Sequence, residues 1–381
     1  MTFARRAERG AKQAILAVAR PLLLGGRAPG AARGRAAAGA PETGAVARSA
    51  AIRIAAVRQD DRLGNLVLMT PFLGRLRESF PNATIDAVVS DRYHRILAGF
   101  PAIDGVVLVE KDASKRRPWR YVALLRGLGR RGYDLAFDLS DANAFSLSSA
   151  LMTLATRAPV RVGFDHPRAA SYLTRAVPPP KAAIHAAEAP LLLLRAVSAN
   201  AQPAPLSLAL PGECAAVRAL LAPARARGER IVGVNLGGRG SKRWPAAAYR
   251  RLIEALLAEP RTRPVLVWGP GERSLLALFA DLAARGAIEA PLLPEDDLGR
   301  LLRAFDLFIT PDTGAMHLAA AVDTPVVAIF LGSEREKYAP RGQRHAVLGG
   351  RGATVEVGQV LAAARGVLGR DEPARRAGES C

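Results

Sequence analysis

The stretch that decides the fold is residues 308–321, FITPDTGAMHLAAA. It begins as an apolar strand pattern, continues through a short polar turn, and becomes a small-residue helix pattern from Gly314 onward. Asp312 or Thr313 is placed to cap this helix, and His317 lies about one turn further on, at the same end. The segment is therefore predicted to be a strand–turn–helix unit that can bind an anion at the helix start. The alternative is a plain capping aspartate with a histidine packed in the core.

The same alternation of strand and helix patterns continues on both sides of this unit. Strands are predicted at residues 51–58, 84–89, 106–109, 134–139, 160–164, 231–236, 264–268, 306–310 and 325–330. Helices are predicted at residues 66–80, 119–131, 142–156, 185–197, 246–258, 273–285, 296–304 and 314–322. Because such an alternation builds parallel sheets with helices on both faces, the fold class is predicted to be α/β.

A proline-rich region divides the alternation into two Rossmann-like halves. Three consecutive prolines at 178–180 and a proline-rich stretch at 201–211 interrupt the pattern, which resumes at Ile231. The predicted boundaries are a basic, disordered N-terminal arm at 1–50, a first Rossmann-like domain at 51–205, a second at 206–368, and a disordered tail at 369–381.

The composition indicates a globular protein of 381 residues, half of them hydrophobic and 23% charged. Cys214 and Cys381 cannot form a disulfide framework, which favours a cytosolic compartment. Five scattered histidines lack metal-ligand spacing, so no metal site is predicted. The absence of a G-x-G-x-x-G fingerprint argues against an NAD enzyme, and no cofactor is predicted.

The net charge of +20 creates a field that attracts anions. Only six of the 54 basic residues are lysine, and the heavy use of Ala, Arg and Gly indicates a compositional bias of the genome as the alternative cause. No aromatic–basic interleaving is present, so nucleic acid is not predicted as a partner. The arm at 1–50 carries nine basic residues against two glutamates, which is typical of a disordered arm or a membrane-surface helix. No apolar stretch is long enough to predict a transmembrane helix.

Chemistry-bearing residues follow the predicted strands, where ligands bind in open α/β sheets. Residues 237–245, GGRGSKRWP, combine three glycines with Lys242 before a helix start, which predicts a phosphate cradle; the alternative is a flexible basic loop. Glu272 is placed either to accept hydrogen bonds from a ribose diol or to stabilise the first turn of its own helix. Asp60 and Asp61 follow the first strand, where they can cap the next helix or act as acid or base.

Four segments resemble glycosyltransferase family 9, the lipopolysaccharide heptosyltransferases. They are RQDDRLGNLVLMTPFLGRLR at 58–77, KRWP at 242–245, GPGE at 269–272, and DTGAMH at 312–317 with its alanine-rich helix. The resemblance covers about residues 51–365. It implies the GT-B architecture, in which two Rossmann-like domains face each other across a cleft. It also implies inverting transfer of a heptose from an ADP-sugar to a lipopolysaccharide core or related glycan acceptor, without a cofactor.

The resemblance also implies a division of labour between the domains. The first domain would receive the acceptor and the second would hold the nucleotide sugar, in the cytoplasm and with peripheral contact to the inner membrane. Lys242 would neutralise the phosphates, and Glu272 would lie near the adenosine. The residues implied to line the diphosphate and sugar are Asp312, Thr313, Gly314 and His317.

One position departs from the family pattern. The family has Gly-Asp where this chain has Gly64-Asn65, and that aspartate is the expected general base. An amide cannot accept the proton of an acceptor hydroxyl. The chain has one extra residue here, which creates the adjacent pair Asp60 and Asp61. Asp61 also matches a family aspartate and is the favoured replacement, with Asp60 as the second candidate. The alternative function is a nucleotide-sugar-binding protein with weak or lost catalysis.

Overall fold

Two six-stranded sheets form the framework of this computed structural model, which describes residues 51–199 and 201–378. The strands of the first sheet are β1 Arg53–Arg58, β2 Thr84–Ser90, β3 Gly105–Val109, β4 Leu135–Asp138, β5 Val160–Phe164 and β6 Arg175–Val177. Those of the second sheet are β7 Arg230–Asn235, β8 Thr262–Val267, β9 Ile288–Glu289, β10 Leu307–Pro311, β11 Val326–Phe330 and β12 His345–Gly349. All neighbouring strands pair in parallel, so the predicted α/β class is confirmed.

Both sheets have the same strand order. The first runs β3-β2-β1-β4-β5-β6, and the second runs β9-β8-β7-β10-β11-β12. In each sheet the order reverses between the first and fourth strands of that half, which makes the carboxyl ends of β1, β4, β7 and β10 the expected ligand edge. The loops singled out after β1, β7 and β10 begin at this edge.

Helices connect the strands of both halves. Those of the first half are α1 Leu63–Leu68, α2 Thr70–Ser79, α3 Lys111–Arg116, α4 Pro118–Arg130, α5 Leu147–Ala155 and α6 Ala189–Arg195. Those of the second half are α7 Ala215–Ala226, α8 Ala246–Ala258, α9 Arg273–Ala277, α10 Ala280–Ala284, α11 Glu295–Arg303, α12 Gly314–Ala321, α13 Arg335–Tyr338 and α14 Val357–Gly378. No helix in the described ranges combines the length and apolarity needed to cross a bilayer. Helix α14 includes residues 369–378, which the sequence analysis assigned to the tail. The predicted arm at 1–50 lies outside the described residues.

Several helix predictions are wrong at their boundaries, among them the one at 273–285, which is the two helices α9 and α10. The helix predicted at 66–80 is two helices, α1 and α2, separated at Met69. Pro71 lies in the first turn of α2, where it cannot donate a backbone hydrogen bond to a preceding turn. The helix predicted from residue 142 begins only at Leu147, because Ser146 caps it by accepting a hydrogen bond from the Ser149 N–H at 3.4 Å.

The two halves share one apolar core. Its largest cluster contains buried side chains of both halves, among them Phe72 and Phe137 from the first and Phe308 and Phe330 from the second. Backbone hydrogen bonds also join the halves, for example from Ala186 N–H to the Lys337 carbonyl at 2.9 Å. The ligand edges of the two sheets are thereby held against each other.

Candidate active site

Helices α1 and α12 bring the two ligand edges into direct contact. The two first turns approach so closely that a Cβ atom on Gly314 would lie 3.0 Å from the backbone nitrogen of Gly64. A Cβ atom on Gly64 would lie 2.8 Å from Cδ2 of His317. Only glycine fits at these two positions without displacing its neighbours. The predicted motifs around residues 64 and 314 therefore form the two walls of one site.

The first wall carries Asp60 and Asn65 as a hydrogen-bonded pair. The Asn65 amide donates from Nδ2 to Oδ1 of Asp60 at 2.8 Å. Arg58 donates from Nε to Oδ2 of the same carboxylate at 3.1 Å, and also from its guanidinium to the Leu139 carbonyl at 2.8 Å. The Asp60 side chain is 37% exposed, so it is held by two neighbours and still accessible. Position 65 itself carries only an amide, but the fold places the Asp60 carboxylate directly beside it.

Asp61 points to different partners. Its Oδ1 accepts a hydrogen bond from the Ser90 hydroxyl at 2.5 Å and lies 3.2 Å from the ammonium of Lys111. Burial by itself would raise the pKa of Asp61, but the hydrogen bond from Ser90 and the charge of Lys111 outweigh it and hold the pKa below its ordinary value. Asp61 therefore ties β2 and α3 to the loop after β1, and its carboxylate is a weakened base.

The second wall is built around Asn235, a buried residue that the sequence analysis did not single out. Its Nδ2 donates to the hydroxyl oxygens of Thr310 at 2.8 Å and Thr313 at 2.9 Å. Its Oδ1 accepts from the Gly237 N–H at 2.9 Å. One amide thus joins the end of β7, the end of β10 and the glycine loop. A polar residue closing a strand of apolar residues is the signal that could have identified it.

Lys242 lies in the glycine loop and pairs with Asp312. The ammonium nitrogen is 2.5 Å from Oδ2 of this aspartate, whose side chain is only 6% exposed. The same ammonium lies 5.8 Å from the ring centroid of Tyr338 on α13, a second residue that sequence reasoning missed. The structure therefore brings Lys242, Asp312, Thr313 and Gly314 together at the start of α12, and their binding of a diphosphate stays a prediction.

His317 is buried at this contact. Burial lowers its pKa to about 4, an effect that Asp312 opposes and the nearby His185 and Lys242 reinforce. Its Nδ1 atom has no hydrogen-bond partner within the described part of the chain. The imidazole is consequently neutral near pH 7, with an unsatisfied polar atom beside the first turn of α12. A neutral ring can offer a hydrogen bond without adding charge.

Glu272 lies at the edge of the glycine loop. Its Oε2 accepts a hydrogen bond from the Gly269 N–H at 3.1 Å, so it stabilises the start of its own helical turn. Its Oε1 lies 3.3 Å from the guanidinium of Arg243, whose Nε donates to the Gly238 carbonyl at 3.0 Å. The contact that stabilises the turn uses only one of the two carboxylate oxygens. The structure is therefore compatible with both roles predicted for Glu272, the stabilisation of its own helix and the binding of a ribose diol.

Comparison with known proteins adds three findings. The model of glycosyltransferase family 9 (heptosyltransferase) matches residues 121–369. Lipopolysaccharide heptosyltransferase 3 of Escherichia coli is 24% identical over 278 residues, which are 70% of this chain and 80% of that protein. Lipopolysaccharide heptosyltransferase 1 of Pseudomonas aeruginosa is 27% identical over 281 residues, which are 70% of this chain and 76% of that protein.

A solved structure shows the same architecture. The ADP-heptose lipopolysaccharide heptosyltransferase II of Escherichia coli superimposes with a TM-score of 0.69 at 21% identity, covering 84% of this chain and all of that chain. At this identity the likeness concerns the fold. The predicted GT-B arrangement of two Rossmann-like domains is confirmed.

Proposed function

This chain belongs to glycosyltransferase family 9, and from that premise we propose that it transfers a heptose from an ADP-sugar to a lipopolysaccharide core or related glycan acceptor. The resemblance predicted from the motifs is confirmed, and the chain is a glycosyltransferase. The names of the relatives support heptose as the transferred sugar and lipopolysaccharide as the acceptor class. The name of the structural neighbour supports an ADP-heptose donor. We place the reaction at the cytoplasmic face of the inner membrane.

The observation that carries the proposal is the Lys242–Asp312 pair at the start of α12. A diphosphate bound there meets an ammonium group and the backbone N–H groups of a helix N-terminus, which together stabilise the charge of a departing ADP. Asn235 fixes the surrounding loops, so these groups are preorganised. We assign the donor to the C-terminal domain at 206–368 and the acceptor to the N-terminal domain at 51–205. Thr313, Gly314 and His317 would contact the sugar and diphosphate, and Glu272 the adenosine side.

We propose Asp60 as the general base for the acceptor hydroxyl. Its carboxylate accepts a hydrogen bond from Asn65 at 2.8 Å and therefore lies beside the position where the family pattern has an aspartate. Asp61, favoured from the sequence, is engaged by Ser90 and Lys111 instead. In the proposed step the acceptor oxygen bonds to the anomeric carbon while Asp60 takes the hydroxyl proton. The bond from that carbon to the diphosphate oxygen breaks on the opposite face, which inverts the configuration.

The overall reaction is tested with purified protein, ADP-heptose and a lipopolysaccharide acceptor that lacks heptose. We expect ADP release that requires the acceptor, a product heavier by one heptose in mass spectrometry, and an inverted anomeric signal in NMR. A thermal-shift comparison of ADP- and UDP-sugars checks the donor, because ligand binding raises the melting temperature by mass action. ADP-sugar binding without any transfer to acceptors would instead support the binding-protein alternative.

Single substitutions test the base. Asp60→Asn should lower the transfer rate by about 10²–10⁴-fold, the usual contribution of a general base, at unchanged donor affinity. Asp61→Asn is the matched control in the same turn and should reduce the rate far less. Asn65→Asp should change the rate little if Asp60 already occupies the site. A large loss in Asp61→Asn with a normal rate in Asp60→Asn would return the role to Asp61.

A further inference from the structure

The outward face of helix α4 exposes a tryptophan among arginines. The Trp119 face comprises Trp119, Arg126 and Arg130, with Arg117 and Arg120 near the tryptophan in the chain, and all five residues are exposed. Trp119 is 64% exposed, whereas Trp244, at 1%, is completely buried. Positions 119, 126 and 130 are separated by seven and four residues, so they lie on one side of an α-helix. Within the described part of the chain, no side chain covers this indole ring.

The Trp119 face is strongly cationic. Helix α4, PWRYVALLRGLGR, contains no acidic residue, and residues 110–131 carry eight basic residues against two acidic ones. Arg120 is paired with Glu110 at 2.6 Å. In the described ranges, Arg126 and Arg130 have no carboxylate within 4 Å. The charge excess is therefore available to an external partner and is not consumed inside the protein.

The rest of α4 is firmly anchored. Its inner side buries Leu125 and Leu128 in an apolar cluster with Tyr133 and β-strand residues of the first sheet. Helix α3, which leads into α4, begins with Lys111, and that ammonium lies 3.2 Å from Asp61 in the loop after β1. The Trp119 face is thus a rigid surface that is connected directly to the edge of the candidate active site on the proposed acceptor side.

We propose that the Trp119 face docks on an anionic lipid bilayer. An amphipathic indole ring is most stable at the membrane–water interface, and arginines beside it pair with lipid phosphates. Exposed tryptophan and uncompensated arginine on one rigid face match both properties of such a surface. Docking there presents the acceptor half of the cleft to molecules that are anchored in the bilayer. The residues of this face are different ones from those of the predicted arm at 1–50.

Vesicle binding by the full chain tests the proposal. Vesicles of phosphatidylcholine and phosphatidylglycerol in equal parts should bind the protein, and neutral phosphatidylcholine vesicles should bind it far less. Binding should shift the tryptophan emission to the blue, and Trp119→Ala should abolish that shift because the other indoles are more buried. Arg126→Gln/Arg130→Gln should weaken binding roughly 25-fold, since each basic residue near an anionic surface contributes about a fivefold factor.

Matched variants on the C-terminal domain serve as controls. Arg251→Gln/Arg351→Gln removes the same charge from exposed positions elsewhere, and Leu278→Ala removes an exposed apolar side chain. Both controls should bind vesicles as the wild type does, and all variants should keep the wild-type melting temperature and donor affinity.

Wild-type vesicle binding in the α4 variants would overturn the proposal and leave the arm as the membrane contact. Equal losses in test and control variants would also overturn it, since net charge alone would then explain binding. Retention on DNA without vesicle binding, lost in the α4 double variant, would assign the face to nucleic acid.

Discussion

Lys242 is the residue on which donor binding should depend most directly. Lys242→Ala removes the ammonium and leaves the buried Asp312 carboxylate unpaired at the proposed diphosphate site. We expect donor binding weaker by about 1–3 kcal/mol, the range for a charge-assisted hydrogen bond. Calorimetric titration with ADP or an ADP-sugar measures this loss.

Lys337 provides the matched control for that substitution. Its ammonium lies 5.4 Å from the same Tyr338 ring, but 3.9 Å from Asp141 in the first half. Lys337→Ala should therefore change donor affinity little. Equal weakening in both alanine variants would mean that the diphosphate does not bind specifically at Lys242.

His317 should make stability depend on pH. Its pKa is lowered to about 4 in the folded chain, so between about pH 6.5 and 4 the unfolded chain binds more protons, and the free energy of unfolding falls as the pH falls through this window. The upper limit of this loss is about 3 kcal/mol. Burial raises the pKa of Asp138 to about 6, which acts with the opposite sign below that pH. The wild type must therefore be compared with His317→Gln, which lacks only the histidine contribution.

Denaturant unfolding at pH 7 and pH 4 gives the comparison. The wild type should lose more stability than His317→Gln when the pH is lowered. A His94→Gln variant, changed at a half-buried histidine, should lose as much as the wild type. Parallel pH profiles for all three proteins would show that His317 titrates normally and is not held neutral by burial.

The residues proposed for the donor side could be predicted from the sequence, but the partner of each side chain could not. Asp312, Gly314 and His317 were recognisable because they share one short motif, and helical spacing fixes their relative positions. Asp60 and Asp61 were adjacent and chemically equal in the sequence. They are distinguished only by Asn65 on one side and by Ser90 and Lys111 on the other, and β2 and α3 bring the latter two in from elsewhere in the chain.

The close approach of α1 and α12 should tolerate no side chain at residue 64. In Gly64→Ala the new Cβ would lie 2.8 Å from Cδ2 of the buried His317 ring, so one helix must move. We expect destabilisation of about 1–3 kcal/mol, as for overpacking, together with reduced transfer because the two cleft walls separate. Gly74→Ala in α2 is the control, since nothing lies within 4 Å of the new Cβ. It should stabilise the protein slightly, because alanine restricts the unfolded chain more than glycine does. Similar melting temperatures and rates in both variants would contradict the tight contact.

Central strands and the edge strand β3 were predictable from the sequence, whereas the edge strands β6, β9 and β12 were not. β1, β7, β10 and β11 are continuous apolar runs because neighbours cover them on both sides and helices cover both faces. β12 lies at a sheet edge, and its residues are half-buried, so its hydrophobic pattern is weak. Helix α7 was missed because Pro223 interrupts its pattern, although Val217, Leu221 and Ala224 on its inner side are buried.

The two halves are packed against each other through a shared apolar core. Side chains of both sheets belong to the same apolar cluster, and His185 of the first half bonds the Ala339 carbonyl of the second at 3.1 Å. Asp141 and Lys337 form an ion pair between the loop after β4 and α13. Contacts of this kind fix the positions of the two cleft walls relative to each other. If the walls bind donor and acceptor as proposed, this arrangement orients the acceptor before the donor reacts.

Removal of residues 1–48 should leave the two packed halves folded. β1 already has β2 and β4 as neighbours, and the proposed donor residues all lie at position 235 or beyond, so no described strand or donor contact requires the segment. The truncated protein should keep the melting temperature and the ADP-sugar affinity of the full chain in calorimetry.

Its binding to anionic vesicles should weaken, because the segment contributes nine basic residues against two acidic ones, but it should not vanish while the Trp119 face is present. Combining the truncation with Arg126→Gln/Arg130→Gln should remove most of the remaining binding. Loss of folding on truncation would show instead that the N-terminal segment packs on the body, and complete loss of vesicle binding would assign membrane contact to that segment alone.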